Sequence, residues 1–199
     1  MKRATDLVIG IPVLVLASPF IALAAIAVKL DTKGPALYRG VRVGLNGKVF
    51  HIHKLRSMVA KADQSGPAVT SADDPRITRV GRFLRRTRFD EVPQLWNVIA
   101  GEMSLVGPRP ESLDFVEQYT PEQRRVLSVR PGITSPTSLA FHDEERMLAE
   151  RGGAPAYLEA IMPRKLEMDL AYVDRHSTAG DLRILGRTIA FAVTRLFRQ

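Results

Sequence analysis

Asp90 and Glu91 are adjacent carboxylates. Six arginines (Arg76, Arg79, Arg82, Arg85, Arg86, Arg88) precede them, and a Gly-Pro-Arg-Pro loop, Gly107 to Pro110, follows soon after. Carboxylates flanked by guanidiniums suit chemistry at phosphorus, in which one acid attacks, the other holds a metal, and the arginines neutralise phosphate oxygens. The structural alternative is that Asp90 caps a helix and Glu91 complements its dipole. Arg85 and Arg88 are the two arginines best placed to meet a diphosphate.

The elements that must position these residues can be read from periodicity. Val92, Leu95, Trp96 and Ile99 fall at i, i+3, i+4 and i+7, which predicts a helix with those four on its apolar face and Gly101 at its end. Asp90, Glu91 and Pro93 then enter its first turn, where outward N–H groups favour anions. Upstream, Asp73-Asp74-Pro75 is expected to open a short helix with Ile77, Val80 and Leu84 inward. Before it, the polar stretch from Ala60 to Pro75 reads as a long loop. The segments ALYRGVRV and KVFHIHKL around Asn46-Gly47 predict a β-hairpin whose end carries Lys54 and Arg56. Those two are either solvated strand-end charges or contacts to phosphate or lipid headgroups.

Composition bounds the partners. The 199 residues suffice for one ordinary core, and a net charge of +8 implies a polyanion: nucleic acid, an anionic membrane surface or phosphate-rich substrates. The chain has no cysteine, which excludes disulfides, a thiolate nucleophile and Cys-type zinc sites. Of the four histidines only His51 and His53 share a strand face, and with no third ligand nearby they read as a surface pair.

Leu7 to Val28 is a run of 22 residues without a charge, long enough to cross a bilayer as one straight helix. Ser18-Pro19 falls at its centre, where proline removes a backbone hydrogen bond and predicts a kink. Lys2 and Arg3 precede the run, and Lys29, Lys33, Arg39 and Arg42 follow it; basic flanks at both ends favour keeping both on the cytoplasmic side. The expectation is a re-entrant helix-break-helix that enters and leaves one leaflet, with Ser18 re-satisfying freed backbone groups. A plain transmembrane anchor is the chief rival; a cleaved signal peptide fits less well, lacking a suitable cleavage site.

Beyond Pro110 the pattern is mostly helical: Ser112 to Tyr119, Pro121 to Leu127, His142 to Arg151, and Ala156 to His176 with a break at Pro163, Gly152-Gly153 separating two of them. A last helix begins with Asp181 as N-cap. It puts Leu182, Leu185, Ile189, Val193 and Leu196 on one stripe, with Arg183, Arg187, Arg195 and Arg198 elsewhere, and so is able to lie in a membrane interface or pack on the core.

With these residues in view, the chain resembles the bacterial sugar transferases called monotopic phosphoglycosyl transferases, in their minimal catalytic form. The resemblance rests on Ser18-Pro19 in the hydrophobic segment, RVGLNGKVFHIHKLRSM, GRFLRRTRFDEVPQLWNVIAGEMSLVGPRPE, VRPGIT and MDLAYVDRHSTAGDLRIL, and so covers nearly the whole chain. It implies an enzyme on the cytoplasmic face of the bacterial inner membrane. That enzyme would move a phosphosugar from a nucleoside diphosphate sugar, usually a UDP-sugar, onto polyprenyl (undecaprenyl) phosphate and release UMP. This is the first membrane step of glycoconjugate synthesis: exopolysaccharide, O-antigen, capsule or glycoprotein glycan. Carried onto matching positions, Asp90 is implied as the nucleophile and Glu91 as a ligand of the implied cofactor, Mg²⁺. Lys54, Arg85 and Arg109 are implied contacts to phosphate or headgroup. The chain departs from the usual pattern after PGIT, where it reads Ser135-Pro136-Thr137-Ser138-Leu139 and then His142-Asp143-Glu144, in the region of nucleotide and sugar contacts.

The expected architecture is therefore α+β and predominantly helical with a small β-hairpin. Residues 1–33 are expected to form the re-entrant membrane helix and residues 34–199 a cytoplasmic catalytic domain with interfacial helices touching membrane phospholipid. Nucleic acid is not expected as a partner. Two rival functions remain open on the sequence: a membrane-attached basic protein that binds anionic lipid or nucleic acid without catalysis, and a metal-dependent diphosphate hydrolase using the same carboxylates with water as acceptor.

Overall fold

The computed structural model describes residues 1–62, 66, 70–71, 74–151 and 154–197. Helix α1 (Lys2–Asp31) runs for 30 residues with Pro12 and Pro19 inside it. The expected break at Ser18-Pro19 is not an interruption. Pro19 has no N–H for the carbonyl of Val15, and the Ser18 hydroxyl donates to that carbonyl at 2.8 Å, so the acceptor is satisfied and the helix continues.

One face of α1 packs on the rest of the protein. Leu14 joins Phe50, Ile52, Leu95, Val98, Met103, Leu105, Val106 and Tyr172 in one buried cluster, and Val28 joins Leu55 and Leu84 in another. Asp6, near the N-terminal end, is buried and accepts from the Ser104 hydroxyl and the Leu105 N–H, both at 3.0 Å. The opposite face leaves Val8, Val15, Leu16, Phe20, Leu23, Ile26 and Leu30 exposed. By length and composition α1 is able to cross a membrane.

The hairpin forms as expected, β1 (Leu37–Val43) antiparallel to β2 (Val49–Leu55), paired from Leu37↔Leu55 to Val43↔Val49. Its turn places Asn46 and Gly47 at φ 55° and 77°, the left-handed region those two residue types tolerate best. The period-2 alternation sends Phe50 and Ile52 into the core and puts Lys54 on the same face, so a cation ends an apolar row.

Helix α2 (Arg79–Thr87) starts at Thr78, whose side chain accepts from the Gly81 N–H at 2.9 Å, rather than at Asp73-Asp74-Pro75. Asp74 instead pairs with Arg76 at 2.6 Å; Asp73 lies outside the described residues, as does part of the expected 60–75 loop. A six-residue 3-10 turn (Phe89–Gln94) then precedes α3 (Leu95–Ala100), so the single helix expected here is two shorter elements. Gly101, at φ 85°, ends α3 as expected. Trp96 is a correction: it is 57% exposed, not on the core face, while Leu95 and Val98 are buried. The tighter 3-10 turn shifts the helical phase and rotates Trp96 outward.

Strands β3 (Ser104–Val106) and β4 (Gly132–Thr134) pair in parallel, Ser104 with Gly132 and Val106 with Thr134. Their backbones nearly touch, since a Cβ on Gly132 would fall 2.1 Å from the Gly107 nitrogen. The Gly-Pro-Arg-Pro and Pro-Gly-Ile-Thr motifs are thereby one structural unit.

Short helices follow: α4 (Leu113–Val116), a 3-10 turn (Gln123–Ser128), α5 (Pro136–Ala140), α6 (Glu144–Arg151) and α7 (Ala154–Ala156). Their core holds Val116, Tyr119, Val126, Leu148, Tyr157, Ile161 and Leu166. The break expected at Pro163 is instead a π-helical turn (Tyr157–Ile161) running straight into α8 (Met162–Arg175), with Pro163 in the first turn, where its missing N–H costs little. Gly152-Gly153 lies outside the described residues. Helix α9 (Thr178–Phe197) begins three residues before Asp181. Ser177 caps it, accepting from the Gly180 N–H at 3.1 Å, and Asp181 is buried against Lys2 and the Tyr172 hydroxyl. Its expected stripe divides: Leu185 packs inward, whereas Leu182, Ile189 and Val193 are exposed.

Candidate active site

Arg88 sets the site's backbone. It sits at φ 59°, ψ 15°, its N–H closing back on the Arg85 carbonyl at 3.1 Å, and this left-handed residue ends α2 and starts the turn carrying Asp90 and Glu91. A non-glycine residue pays roughly 1–2 kcal/mol for that conformation. Strain of this kind is concentrated at functional positions.

Glu91 is buried and shared by cations. Its Oε1 lies 2.8 Å from Lys54 Nζ, 2.7 Å from Arg109 Nη2 and 3.7 Å from Arg88 Nη1. Burial alone would raise its pKa, but Arg109 and Lys54 hold the carboxyl well below the usual range, so it is ionised. Burial in turn pulls Lys54 below the usual lysine value, against the attraction of Glu91.

Asp90 is the contrast. It is 5% exposed, and its Oδ1 is buried without a hydrogen-bond partner among the described residues. Burial and the neighbouring Glu91 charge push its pKa up to about 6, while Lys54, Arg85 and Arg88 pull it back. Two adjacent acids thus have opposite environments, one fixed as a structural anion and one left with an unsatisfied oxygen. A buried acceptor with no donor is costly, roughly 1–3 kcal/mol, and calls for a ligand-dependent partner.

The six candidate arginines sort themselves. Arg79, Arg82 and Arg86 face solvent and Arg76 pairs with Asp74, whereas Arg85 and Arg88 turn toward Asp90. Arg85 hydrogen-bonds Ser57 Oγ at 3.3 Å and Glu145 Oε1 at 2.5 Å. The structure therefore brings Lys54, Arg85, Arg88 and Arg109 around Asp90 and Glu91. Ser18 and Pro19 lie away from this cluster, on α1. Arg56 is not at the site: it is buried and donates to the carbonyls of Thr32 at 2.8 Å and Lys33 at 2.7 Å, clamping the end of α1. His53 is likewise structural, its N–H and ring bound to Asn97 Oδ1.

Beside the cluster opens a cavity of about 440 Å³. Arg88, Glu91, Arg109, Glu144, Glu145 and Lys165 line its charged end; Val13, Leu95, Ile133, Leu185, Ile189 and Phe191 line its apolar end. Sequence reasoning missed the buried group behind it. Lys165 lies 2.9 Å from Glu144 and 3.3 Å from Glu111, which also accepts from the Tyr157 hydroxyl at 2.6 Å. Against the cost of burial, Lys165, Tyr157 and Arg109 hold Glu111 below the usual range. Glu111 follows Pro110 directly and was visible as a fifth motif position; Lys165 and Tyr157 carry no local signal.

Among the described residues no three His, Asp or Glu side chains converge as a ready metal site. The donor set suits a hard divalent cation only as a partial site, with Asp90 Oδ1 open, Glu91 Oε2 bound by one long contact of 3.4 Å to Arg109, and remaining positions left to water and phosphate oxygens. Mg²⁺ is usually held that way.

Comparison with known proteins identifies the chain's relatives. The chain is 39% identical over 196 residues to a UDP-glucose:undecaprenyl-phosphate glucose-1-phosphate transferase of Caulobacter vibrioides, covering 97% of this chain and 70% of that protein. It is 48% identical over 122 residues to a putative undecaprenyl-phosphate N-acetylgalactosaminyl 1-phosphate transferase of Bacillus subtilis, 61% of this chain and 68% of that protein. It is 38% identical over 202 residues to the exopolysaccharide production protein PSS of Rhizobium leguminosarum bv. phaseoli, 98% and 96%. A family model described as bacterial sugar transferase matches residues 1–195, and the chain belongs to that family of transferases.

Proposed function

We propose that this protein transfers a phosphosugar from a UDP-sugar to undecaprenyl phosphate through a covalent intermediate on Asp90, releasing UMP. The observation that carries the reading is the buried Asp90 Oδ1, without a partner among the described residues and under the pull of Lys54, Arg85 and Arg88, in a chain whose relatives are named for this reaction.

In the first half-reaction an Asp90 oxygen attacks the sugar-bearing phosphorus, the bond from that phosphorus to the bridging oxygen breaks, and UMP leaves with that oxygen. In the second, an oxygen of undecaprenyl phosphate attacks the same phosphorus and the carboxylate departs. A carboxylate is a weak nucleophile toward an anionic diphosphate, so the oxygens must be neutralised and the attacking group held in line. Arg85, Arg88, Arg109 and Lys54 supply the first; the 3-10 turn anchored by Glu91 supplies the second. Mg²⁺, held by Glu91 and Asp90, would add charge neutralisation on the diphosphate. The cavity's apolar end, between α1, α3 and α9, suits the first isoprene units of the acceptor.

Membrane attachment follows from α1 and α9. Both ends of α1 are fastened to one body: Lys2 donates to the Val106 carbonyl at 2.8 Å and Arg3 to the Ile99 carbonyl at 2.8 Å, while Arg56 holds Thr32 and Lys33. A domain that grips both ends of one helix cannot lie on both sides of a bilayer. This supports a one-leaflet, re-entrant placement on the cytoplasmic face. Exposed Trp96 and Phe83 are suited to the headgroup region.

The test is a single-turnover assay. With UDP-sugar and Mg²⁺ but no acceptor, about one equivalent of UMP per active enzyme should appear, with a phosphosugar adduct on Asp90 that undecaprenyl phosphate then clears. Asp90→Asn should abolish both. UMP appearing only when both substrates are bound, with no adduct, overturns the covalent reading; free sugar phosphate without acceptor marks a hydrolase.

A further inference from the structure

Two neighbouring carboxylates of α6 already occupy cations on the rim of the proposed diphosphate site. Glu145 Oε1 lies 2.5 Å from Arg85 Nη2 and Glu144 Oε2 lies 2.9 Å from Lys165 Nζ. Arg88 Nη2 reaches the same segment, donating to the His142 carbonyl at 3.2 Å. Beneath these contacts Asp90 is 5% exposed and does not line the cavity.

We infer that Glu145 is a built-in counter-anion of the diphosphate subsite, bound to Arg85 in the resting protein and displaced by the nucleoside diphosphate when it enters. The inference rests on the reading above and adds a residue to it.

Several observations single out Glu145. A partly buried guanidinium needs a compensating charge, and among the described residues Arg85 has no other carboxylate contact: beyond Glu145 its partner there is the Ser57 hydroxyl, and its Nε is buried without one. Lys165, by contrast, keeps Glu111 at 3.3 Å if Glu144 leaves. Glu145 is also free to go. Its side chain is 39% exposed, so it can swing to water, while the rest of α6 stays fixed through Leu148, 1% exposed, and the edge-on contact of His142 with Phe191. A substrate phosphate offers Arg85 a second oxygen and thus bidentate geometry.

The bland account is that Glu144 and Glu145 merely complement the dipole at the start of α6. Binding separates the two. UDP should be titrated calorimetrically onto the full-length protein in nanodiscs at fixed ionic strength, without acceptor or turnover. If Glu145 competes with the diphosphate, Glu145→Gln should bind UDP about fivefold tighter than wild type, since the resting ion pair no longer has to be broken. In an Arg85→Ala background the same substitution should have no effect, because the competition is gone. Should the glutamine variant fail to fold, Glu145→Asp, one methylene short of Arg85, replaces it with the same expected sign. Unchanged or weaker UDP binding by the variant, an advantage that persists without Arg85, or no UDP binding by either protein overturns the inference. Failure of UMP release would instead count against the reading on which it rests.

Discussion

Arg109 Nη2 stands 2.7 Å from Glu91 Oε1, and that one buried contact joins the Gly-Pro-Arg-Pro loop to the turn bearing the nucleophile. Lys54 shares the same oxygen at 2.8 Å, so strand β2, the turn and the loop meet at a single carboxylate. Glu91 also raises the already high pKa of Arg109, which is therefore a permanent charge.

The first prediction follows from removing that shared anion. Glu91→Gln leaves Lys54 and Arg109 facing one another across a buried space, and breaking a buried pair from one side costs about 3–5 kcal/mol. Urea unfolding should show a loss of that order, with Mg²⁺ dependence and turnover reduced together. Arg109→Lys keeps the charge but not the two-pronged reach, and should lose less stability than Glu91→Gln while still slowing turnover.

Asp90 predicts the opposite sign. Its carboxyl titrates near 3.8 when unfolded and about 6 when folded, so between those values the folded state holds a proton the unfolded chain has lost. Stability of the metal-free protein attributable to Asp90 should therefore fall as pH rises from about 4 to 6 and stay lost above that. Asp90→Asn, incapable of ionising, should raise the melting temperature at pH 7.5 by on the order of a few degrees while abolishing activity. Thermal melts in a chelator across this pH range check it; a variant less stable than wild type at pH 7.5 would show that burial does not penalise this charge.

Much of this was legible in the sequence because it is local. The hairpin at Asn46-Gly47, the stop at Gly101 and the pairing of Asp90 with Glu91 depend on a few adjacent residues. Arg85 and Arg88 were separable from Arg79, Arg82 and Arg86 by proximity to Asp90. What local pattern did not convey is tertiary. Arg56 read as either a solvated strand-end charge or a phosphate or headgroup contact and instead holds the carbonyl end of α1; Asp181 looked like a helix cap and instead anchors Lys2, with hydrogen bonding to Tyr172. Trp96 kept helical spacing with Val92 but lost the phase where a 3-10 turn meets α3. Glu145, Lys165 and Tyr157 reach the site only because α6 and α8 fold back over it.

The tight backbone contact between the two loop motifs yields the third prediction. A methyl on Gly132 would press to 2.1 Å from the Gly107 nitrogen, against the backbone of Val106 and Gly107 rather than a flexible side chain that could yield. Gly132→Ala should push β4 away from β3 and carry Arg109 off Glu91. The expected outcome is a loss of several kcal/mol in stability and a fall in kcat even at saturating substrate, since positioning rather than contact is lost. Steady-state kinetics at permissive temperature check this; a variant altered only in KM would place Arg109 outside the reacting geometry.

The last prediction concerns the side of the membrane on which α1 begins and ends. Its N-terminal end is tied by Lys2 and Arg3 to β3 and α3, and its C-terminal end by Arg56 to the hairpin, all within one packed body. Asp6, buried against Ser104 and Leu105, adds a polar contact that would be left without partners in hydrocarbon. Pulling either end across the bilayer breaks these contacts together, at a cost well above what the exposed apolar face of α1 gains by spanning rather than embedding in one leaflet. Lys2 is engaged in an ion pair, so a cysteine at exposed Ala4 is the gentler probe of the first end, with Lys33→Cys for the second. Both should resist an impermeant thiol reagent in sealed cells and react equally after the membrane is opened. Labelling of one from outside while the other stays protected would establish a spanning helix, and would mean that the clamps seen here are broken in the membrane.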